Sequence, residues 1–312
     1  MNRRTFLASG IRGLGISAST PFGSATTHAS STITAQPGFS FLHYTDIHLE
    51  TARHAPQGFQ QCIGSMTAAA PHAKFAVCGG DVVFDALRTP LADTASLYSL
   101  FQEHAKSLRM PTHFVIGNHD IQSALSQPPV DTAHAKDLFR KSVNRESTYY
   151  SFKHGKWRFI VLDSIQPDPA IEWRAHIDDE QLKWLRQLLD ADRTTPTVVI
   201  THVPLASSFE FLVNFMPGRR LDQAVVDNSQ RVIDVLQTGN VKAVLQGHTH
   251  VVEQFERHGI KYVSSGSVCG EWWRGWRLGI FAEGYSLCHC SDDGVFQSIY
   301  KSYGWHAGQY NS

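Results

Sequence analysis

Apolar, β-rich runs of strand length recur along the chain at residues 39–44, 74–78, 112–116, 197–200 and 241–245, and each ends in a short polar cluster. Between them lie segments with helical spacing. Residues 178–190 place Leu182, Leu185, Leu188 and Leu189 on one face, and residues 229–237 do the same with Val232, Ile233 and Leu236. Strand and helix therefore alternate, which predicts an α/β sheet with the polar clusters just past the carboxyl ends of its strands. A sixth run, 157–162, ends at Asp163 and is read as a strand closed by a structural residue. Beyond residue 278 short alternating runs flank Gly284 and Asp293-Gly294, which predicts a β-hairpin that forms a C-terminal extension or cap.

The polar clusters share a chemistry. They are Asp46-Ile47-His48, Gly79-Gly80-Asp81, Gly117-Asn118-His119-Asp120, Thr201-His202 and Gly247-His248-Thr249-His250. A carboxylate and an imidazole two residues apart converge on one cation when the backbone is extended or looped, whereas a helix would splay them. Asp81 follows two glycines and offers two oxygens, so it is the candidate to bridge two metals. With Asn118, His202, His248 and His250 the set comes to seven donors around one bridge. Oxygen and nitrogen donors without thiolate suit two divalent or trivalent ions such as Mn, Fe, Zn or Ni. Two bridged metals are a device for phosphoester hydrolysis, where attacking and leaving oxygens both need charge stabilisation.

The five clusters in this order resemble the hallmark D-x-H, G-D, G-N-H-D/E, H, G-H-x-H of the calcineurin-like metallophosphoesterases, nearest the class III cyclic-nucleotide phosphodiesterase branch. The resemblance runs from Phe39 to Ser267. It implies two packed mixed β-sheets flanked by helices, a four-layer α/β/β/α sandwich. It also implies one metal on Asp46, His48, Asp81 and His250 and the other on Asp81, Asn118, His202 and His248. A metal-bridging hydroxide would then attack phosphorus, and His119 would assist the leaving group with Asp120 hydrogen-bonded to its other ring nitrogen.

The first 29 residues carry Asn2-Arg3-Arg4-Thr5-Phe6-Leu7, then a weakly apolar stretch and small residues near Ala25 and Ala29. This start resembles a twin-arginine export signal, so the chain is expected to be exported by the twin-arginine machinery and residues 1–29 to be removed, to leave a periplasmic or secreted protein with no membrane-spanning segment. A metallophosphoesterase domain over 30–277 and the β-rich segment over 278–312 would remain. Lys plus Arg and Asp plus Glu balance at 28 each, which argues against a polymeric nucleic acid as substrate. The five cysteines permit a disulfide, but Cys288 and Cys290 are poorly spaced to pair along one strand.

Specificity is expected where the motifs stop. Residues 209–220 read as a lid whose Arg219 and Arg220 are candidates to meet a phosphate. In Glu271-Trp272-Trp273-Arg274, Trp272 and Trp273 are candidates to stack on a base or sugar, with Arg274 beside them. The reading is an exported dinuclear-metal phosphodiesterase acting on a small-molecule phosphoester. An extracytoplasmic phosphomonoesterase is the alternative, and a non-catalytic metal-dependent binding protein the third.

Overall fold

The computed structural model describes residues 36–123, 125–209 and 223–309, so the export signal expected over 1–29 lies outside the described residues. In chain order the elements are β1 (Gly38–Tyr44), α1 (Ala55–Ala69), β2 (Ala76–Cys78), α2 (Leu91–Ala105), β3 (Thr112–Phe114), α3 (Asp137–Ser142), β4 (Tyr150–His154), β5 (Trp157–Val161), β6 (Ile165–Asp168) and β7 (Glu172–Ala175). Then come α4 (Asp179–Ala191), β8 (Thr197–Ile200), α5 (Ser229–Leu236), β9 (Val241–Gln246), β10 (Val252–Arg257), β11 (Ile260–Ser265), β12 (Gly284–Ser291) and β13 (Phe296–Ser302).

Two mixed sheets carry the fold, with strand orders β13-β12-β1-β2-β3 and β10-β11-β9-β8-β5-β4; β6 and β7 form a separate hairpin. The strands that deliver the polar clusters run parallel, β1 with β2 and β2 with β3 in one sheet, β5 with β8 and β8 with β9 in the other. Parallel neighbours end at the same edge, so their following loops meet.

Side-chain alternation explains why the sheets stack. Phe39, Phe41 and Val77 face Phe159, Val161, Val198, Ile200 and Leu245 in a core between the two sheets. The intervening residues, Leu42, Tyr44, Ala76, Cys78, Ile160, Val199 and Val244, belong to the larger core that also takes in α1, α2, α4 and α5. Each central strand is thus apolar on both faces and reads as a continuous apolar run. Phe159 sits within 4.9–6.2 Å, ring to ring, of Phe39, Phe41, Phe75 and Phe152.

The predicted helices appear with their expected faces. α4 starts at Asp178, whose carboxylate accepts from the Gln181 amide at 2.7 Å, and buries Leu182, Leu185 and Leu189. The hairpin predicted at Asp293-Gly294 is formed by β12 and β13. It does not stand apart as a cap. β12 pairs with β1 from Gly38 with Ser291 to His43 with Ser286, which covers an edge of β1 that would otherwise present unpaired N–H and C=O groups. All five cysteines are buried and free, Cys288 and Cys290 between the sheets.

Replacing Phe159 by Ala removes the aromatic centre of the core between the sheets. Equilibrium denaturation should show a loss of about 3–5 kcal/mol; a loss below about 1 kcal/mol would mean that this core does not hold the sheets together.

Candidate metal centre

The site is built by loops that leave parallel strands and tie to one another through the main chain. After β1 the Asp46 amide donates to Gly80 O at 3.0 Å, those of Ile47 and His48 to Asp81 O at 3.0 and 2.9 Å, and that of Leu49 to Val82 O at 3.0 Å. Asp46, His48, Asp81, His248 and His250 all have left-handed backbones, with φ between 44° and 66°. Asp and His tolerate this region better than most residues, at a cost of about 1–3 kcal/mol each. This geometry turns each side chain inward. Two glycines make room for the carboxylates. A β-carbon on Gly117 would lie 2.1 Å from Asp81 Oδ1, and one on Gly247 would lie 2.6 Å from Asp46 Oδ2.

The expected donors converge as two groups that share Asp81. On one side His48 Nε2 lies 3.1 Å from His250 Nε2 and 3.4 Å from Asp81 Oδ2, and His250 Nε2 lies 3.3 Å from Asp46 Oδ1. On the other, His202 Nε2 lies 3.1 Å from Asp81 Oδ2 and 3.2 Å from Asn118 Oδ1, with the His248 ring 5.3 Å from that of His202. The donor atoms of Asp81, His202 and His248 are close enough to hold one ion. Outer hydrogen bonds fix the rings: His202 Nδ1 donates to Gly79 O at 2.9 Å and His250 Nδ1 to Gly270 O at 2.7 Å, which leaves each Nε2 for a metal.

These residues fit a pair of cations. His248 Nε2 is buried and makes no hydrogen bond among the described residues, a costly state that a metal would relieve. Burial drives His248 down to about 3, and His202 pushes it the same way. Burial would also lower His202, but the Asp81 carboxylate beside it, with Asp46, holds it up at about 9. Asp46 resists the upward pull of burial because His250 and His202 hold it near 2. Carboxylates, imidazoles and an amide oxygen without thiolate are the ligands of Mn, Fe, Zn and Ni.

One expected partnership is corrected. Asp120 does not touch the ring of His119. The turn at Asn118–Asp120 sends it inward, where it accepts from the Val82 and Gly117 amides at 2.9 Å and from Tyr98 Oη at 3.0 Å. Burial and the neighbouring Asp81 charge raise it to about 7. His119 Nδ1 pairs with Asp85 Oδ1 at 3.2 Å instead. Sequence reading missed Asp85, although it lies four residues past Asp81 in the same loop.

The two tryptophans part company. Trp272 is half-buried at the site, its ring 3.8 Å from that of His48 and edge-on to His119 at 4.9 Å. Trp273 is buried and cannot stack on a substrate: its Nε1 donates to Ile47 O and His48 O at 3.0 and 3.1 Å, and its ring rests on Gly58 and Trp305. Arg274 is exposed, and Arg277 takes the inner position, reaching Thr249 O at 3.2 Å while paired with Glu271. Arg219 and Arg220 lie outside the described residues.

A family model described as calcineurin-like phosphoesterase matches residues 39–252, the segment that holds all five clusters. The chain belongs to this family. It is 28% identical over 238 residues to a 3′,5′-cyclic-nucleotide phosphodiesterase of Nostoc sp., covering 74% of this chain and 78% of that one. It is 25% identical over 240 residues to the 3′,5′-cyclic adenosine monophosphate phosphodiesterase CpdA of Escherichia coli, covering 73% and 75%. Solved structures of similar fold include a dimetal phosphatase from Danio rerio, with TM-score 0.59, 13% identity and coverage of 85% of this chain and all of that one. A purple acid phosphatase from yellow lupin gives TM-score 0.60, 15% identity and coverage of 86% and 52%. By family this calcineurin-like protein is a metal-dependent phosphoric ester hydrolase with a dinuclear centre.

Gly117→Ala should displace the Asp81 carboxylate and cost at least one of two equivalents of tightly bound metal, read by elemental analysis; wild-type metal content would contradict the crowding. A second expectation concerns protons. Because His202 is protonated below about 9 without metal, loading Mn2+ at pH 7 must release its proton, and apparent affinity should fall as pH falls, up to about tenfold per unit for each proton displaced. Calorimetry in two buffers of different ionisation enthalpy measures this; no proton release would refute it.

Proposed function

We propose that this protein is an exported phosphodiesterase that hydrolyses a small-molecule phosphodiester of the cyclic-nucleotide kind. The observation that carries the catalytic part is the pair of donor groups joined at Asp81 with His119 beside them. The diester preference is supported by relatives named as cyclic-nucleotide phosphodiesterases, and export by the twin-arginine-type start.

Two metal ions held by Asp46, His48, Asp81, Asn118, His202, His248 and His250 would supply Lewis acidity and an acidified water. The chain's own residues do the rest. Asp81 and Asp46 fix the positions of both groups, and Trp272 walls the His48 side. The charge of Asp81 and the bond to Asp85 raise His119 above an ordinary imidazole against the opposing pull of burial, which suits it to carry a proton. With Nδ1 facing Asp85, Nε2 is the atom that passes a proton to the leaving oxygen.

The test is the metal-loaded protein on bis(p-nitrophenyl) phosphate against p-nitrophenyl phosphate. The diester should win by at least tenfold in kcat/KM; preference for the monoester would make the protein a phosphatase. On a diester with an alkyl leaving group His119→Ala should lose about 10²–10⁴-fold, and Asp85→Asn should lose less. Equal losses on alkyl and p-nitrophenyl leaving groups would refute the proton-donor role.

A further inference from the structure

The β6–β7 hairpin pairs with neither large sheet, yet it reaches the metal centre from two adjacent positions. Trp173 sets its ring edge-on to His248 at 5.7 Å. Glu172 begins a chain of polar contacts that ends at His119. Both of its carboxylate oxygens accept from Arg88 Nη2, at 2.9 and 2.8 Å. Arg88 Nη1 stands 3.5 Å from Asp85 Oδ2, and the other oxygen of Asp85 lies 3.2 Å from His119 Nδ1. His119 and Asp85 already have roles in proton transfer, whereas Arg88 and Glu172 have none.

The backbone at Glu172 is built against local preference. Asp168 and Glu172 pair across the turn Pro169-Ala170-Ile171, where Asp168 Oδ1 accepts from the Ala170 and Ile171 amides at 2.8 and 3.3 Å. Glu172 closes this turn with φ at 74°. Short hairpin turns give such a left-handed position to Gly or Asn, and a residue with a long side chain bears a cost there. Asp46, His48, Asp81, His248 and His250 bear the same cost and repay it as metal donors. Glu172 is not a donor. A residue that breaks a local rule is expected where its side chain has a task, and the side chain of Glu172 is spent on Arg88.

We propose that Glu172 is a positioning residue for the proton donor: through Arg88 it holds the Asp85 carboxylate in the rotation that keeps Oδ1 on His119 Nδ1. The assignment rests on the reading of His119 as the group that protonates the leaving oxygen. A carboxylate bound at one oxygen turns freely about its last bond, and a donor on the second oxygen fixes its plane. Arg88 is exposed and its side chain is long, so its weak contact with Asp85 would not hold it in place unaided. The rigid guanidinium fork lets different nitrogens serve two carboxylates at once, and the closer bonds to Glu172 set where that fork stands. The strained turn at Glu172 thus reaches His119 without touching it, and the same hairpin borders the second donor group through Trp173.

Glu172→Gly tests this, because it removes the carboxylate and relieves the backbone together. In the metal-loaded full chain its melting temperature should equal or exceed that of the wild type and its metal content should be unchanged. Its kcat should fall about three- to fivefold, the range of an exposed ion pair, on methyl phenyl phosphate, whose phenoxide leaves poorly without a proton. On methyl p-nitrophenyl phosphate kcat should stay at the wild-type value. Arg88→Gln should show the same selective loss, and Arg88→Gln combined with Glu172→Gln should lose no more than Arg88→Gln alone, as residues acting in one chain do. Equal losses on both esters, no loss on the phenyl ester, or additive losses in the double variant would overturn the assignment and leave the pair a structural tie. His119→Ala on the same esters separates the cases. If it loses selectively and Glu172→Gly does not, only the role of Glu172 is rejected; if it loses equally on both, or the wild type hydrolyses neither ester, the underlying reading fails and this inference with it.

Discussion

Everything at this site depends on Asp81. Its main-chain oxygen holds the amides of Ile47 and His48. One carboxylate oxygen accepts from the His119 amide at 2.8 Å, and the other stands 3.1 Å from His202 Nε2 and 3.4 Å from His48 Nε2. Three of the five clusters therefore take their position from one residue, and a fourth, at His202, leans on the same oxygen. Buried charges at such distances interact far more strongly than they would in water. The imidazoles around Asp81 are what keep its carboxyl ionised against burial.

Strain and support balance each other around that residue. Left-handed backbones at five donor positions would not persist on an unanchored loop. Here each follows a strand locked on both faces, and the loops bond to one another as if the strands continued past their ends. The sheets supply rigidity, and the loops that leave them supply convergence. This also explains why so little of the site is contributed by helices: a helix would carry alternate residues to opposite sides, whereas these loops turn Asp46 and His48, or His248 and His250, to the same ion.

Strand ends were legible because central strands buried on both faces leave long apolar runs and because the donors follow them directly. The helix at residues 178–190 was legible for its leucine stripe. α1 and α2 were not, since small and polar residues interrupt their apolar positions and the burial of each rests on a few residues, such as Phe59, Ile63 and Met66 in α1 and Tyr98 and Phe101 in α2. The pairing of His119 was misread for a local reason. Asp120 is its neighbour in sequence, but successive side chains in a tight turn diverge, and the residue that reaches the ring comes from 34 positions earlier. Trp272 and Trp273 show the same limit, because composition cannot say which of two adjacent rings meets the site and which meets the core.

The family match ends at residue 252, but the support of the first cluster comes from beyond it. Val268 and Cys269 donate their amides to Thr45 O and Asp46 O, Gly270 O receives the His250 ring, and Trp273 caps the carbonyls of Ile47 and His48. Tyr303 in turn holds Val268 O at 2.6 Å, and β12 lies along β1. The residues that bind metal are thus specified by five short motifs, whereas the precision with which they meet is set by a C-terminal segment that contributes none of the expected donors. A site of this kind tolerates drift in the supporting segment only if the same main-chain carbonyls stay capped. The backbone bonds from Val268 and Cys269 are open to many residues, but the reach of an indole N–H from Trp273, seated on the bare Cα of Gly58, is not. Gly58 and Trp273 are therefore one structural unit. Divergence at either position must be matched at the other if the left-handed turn at Asp46 and His48 is to keep its shape.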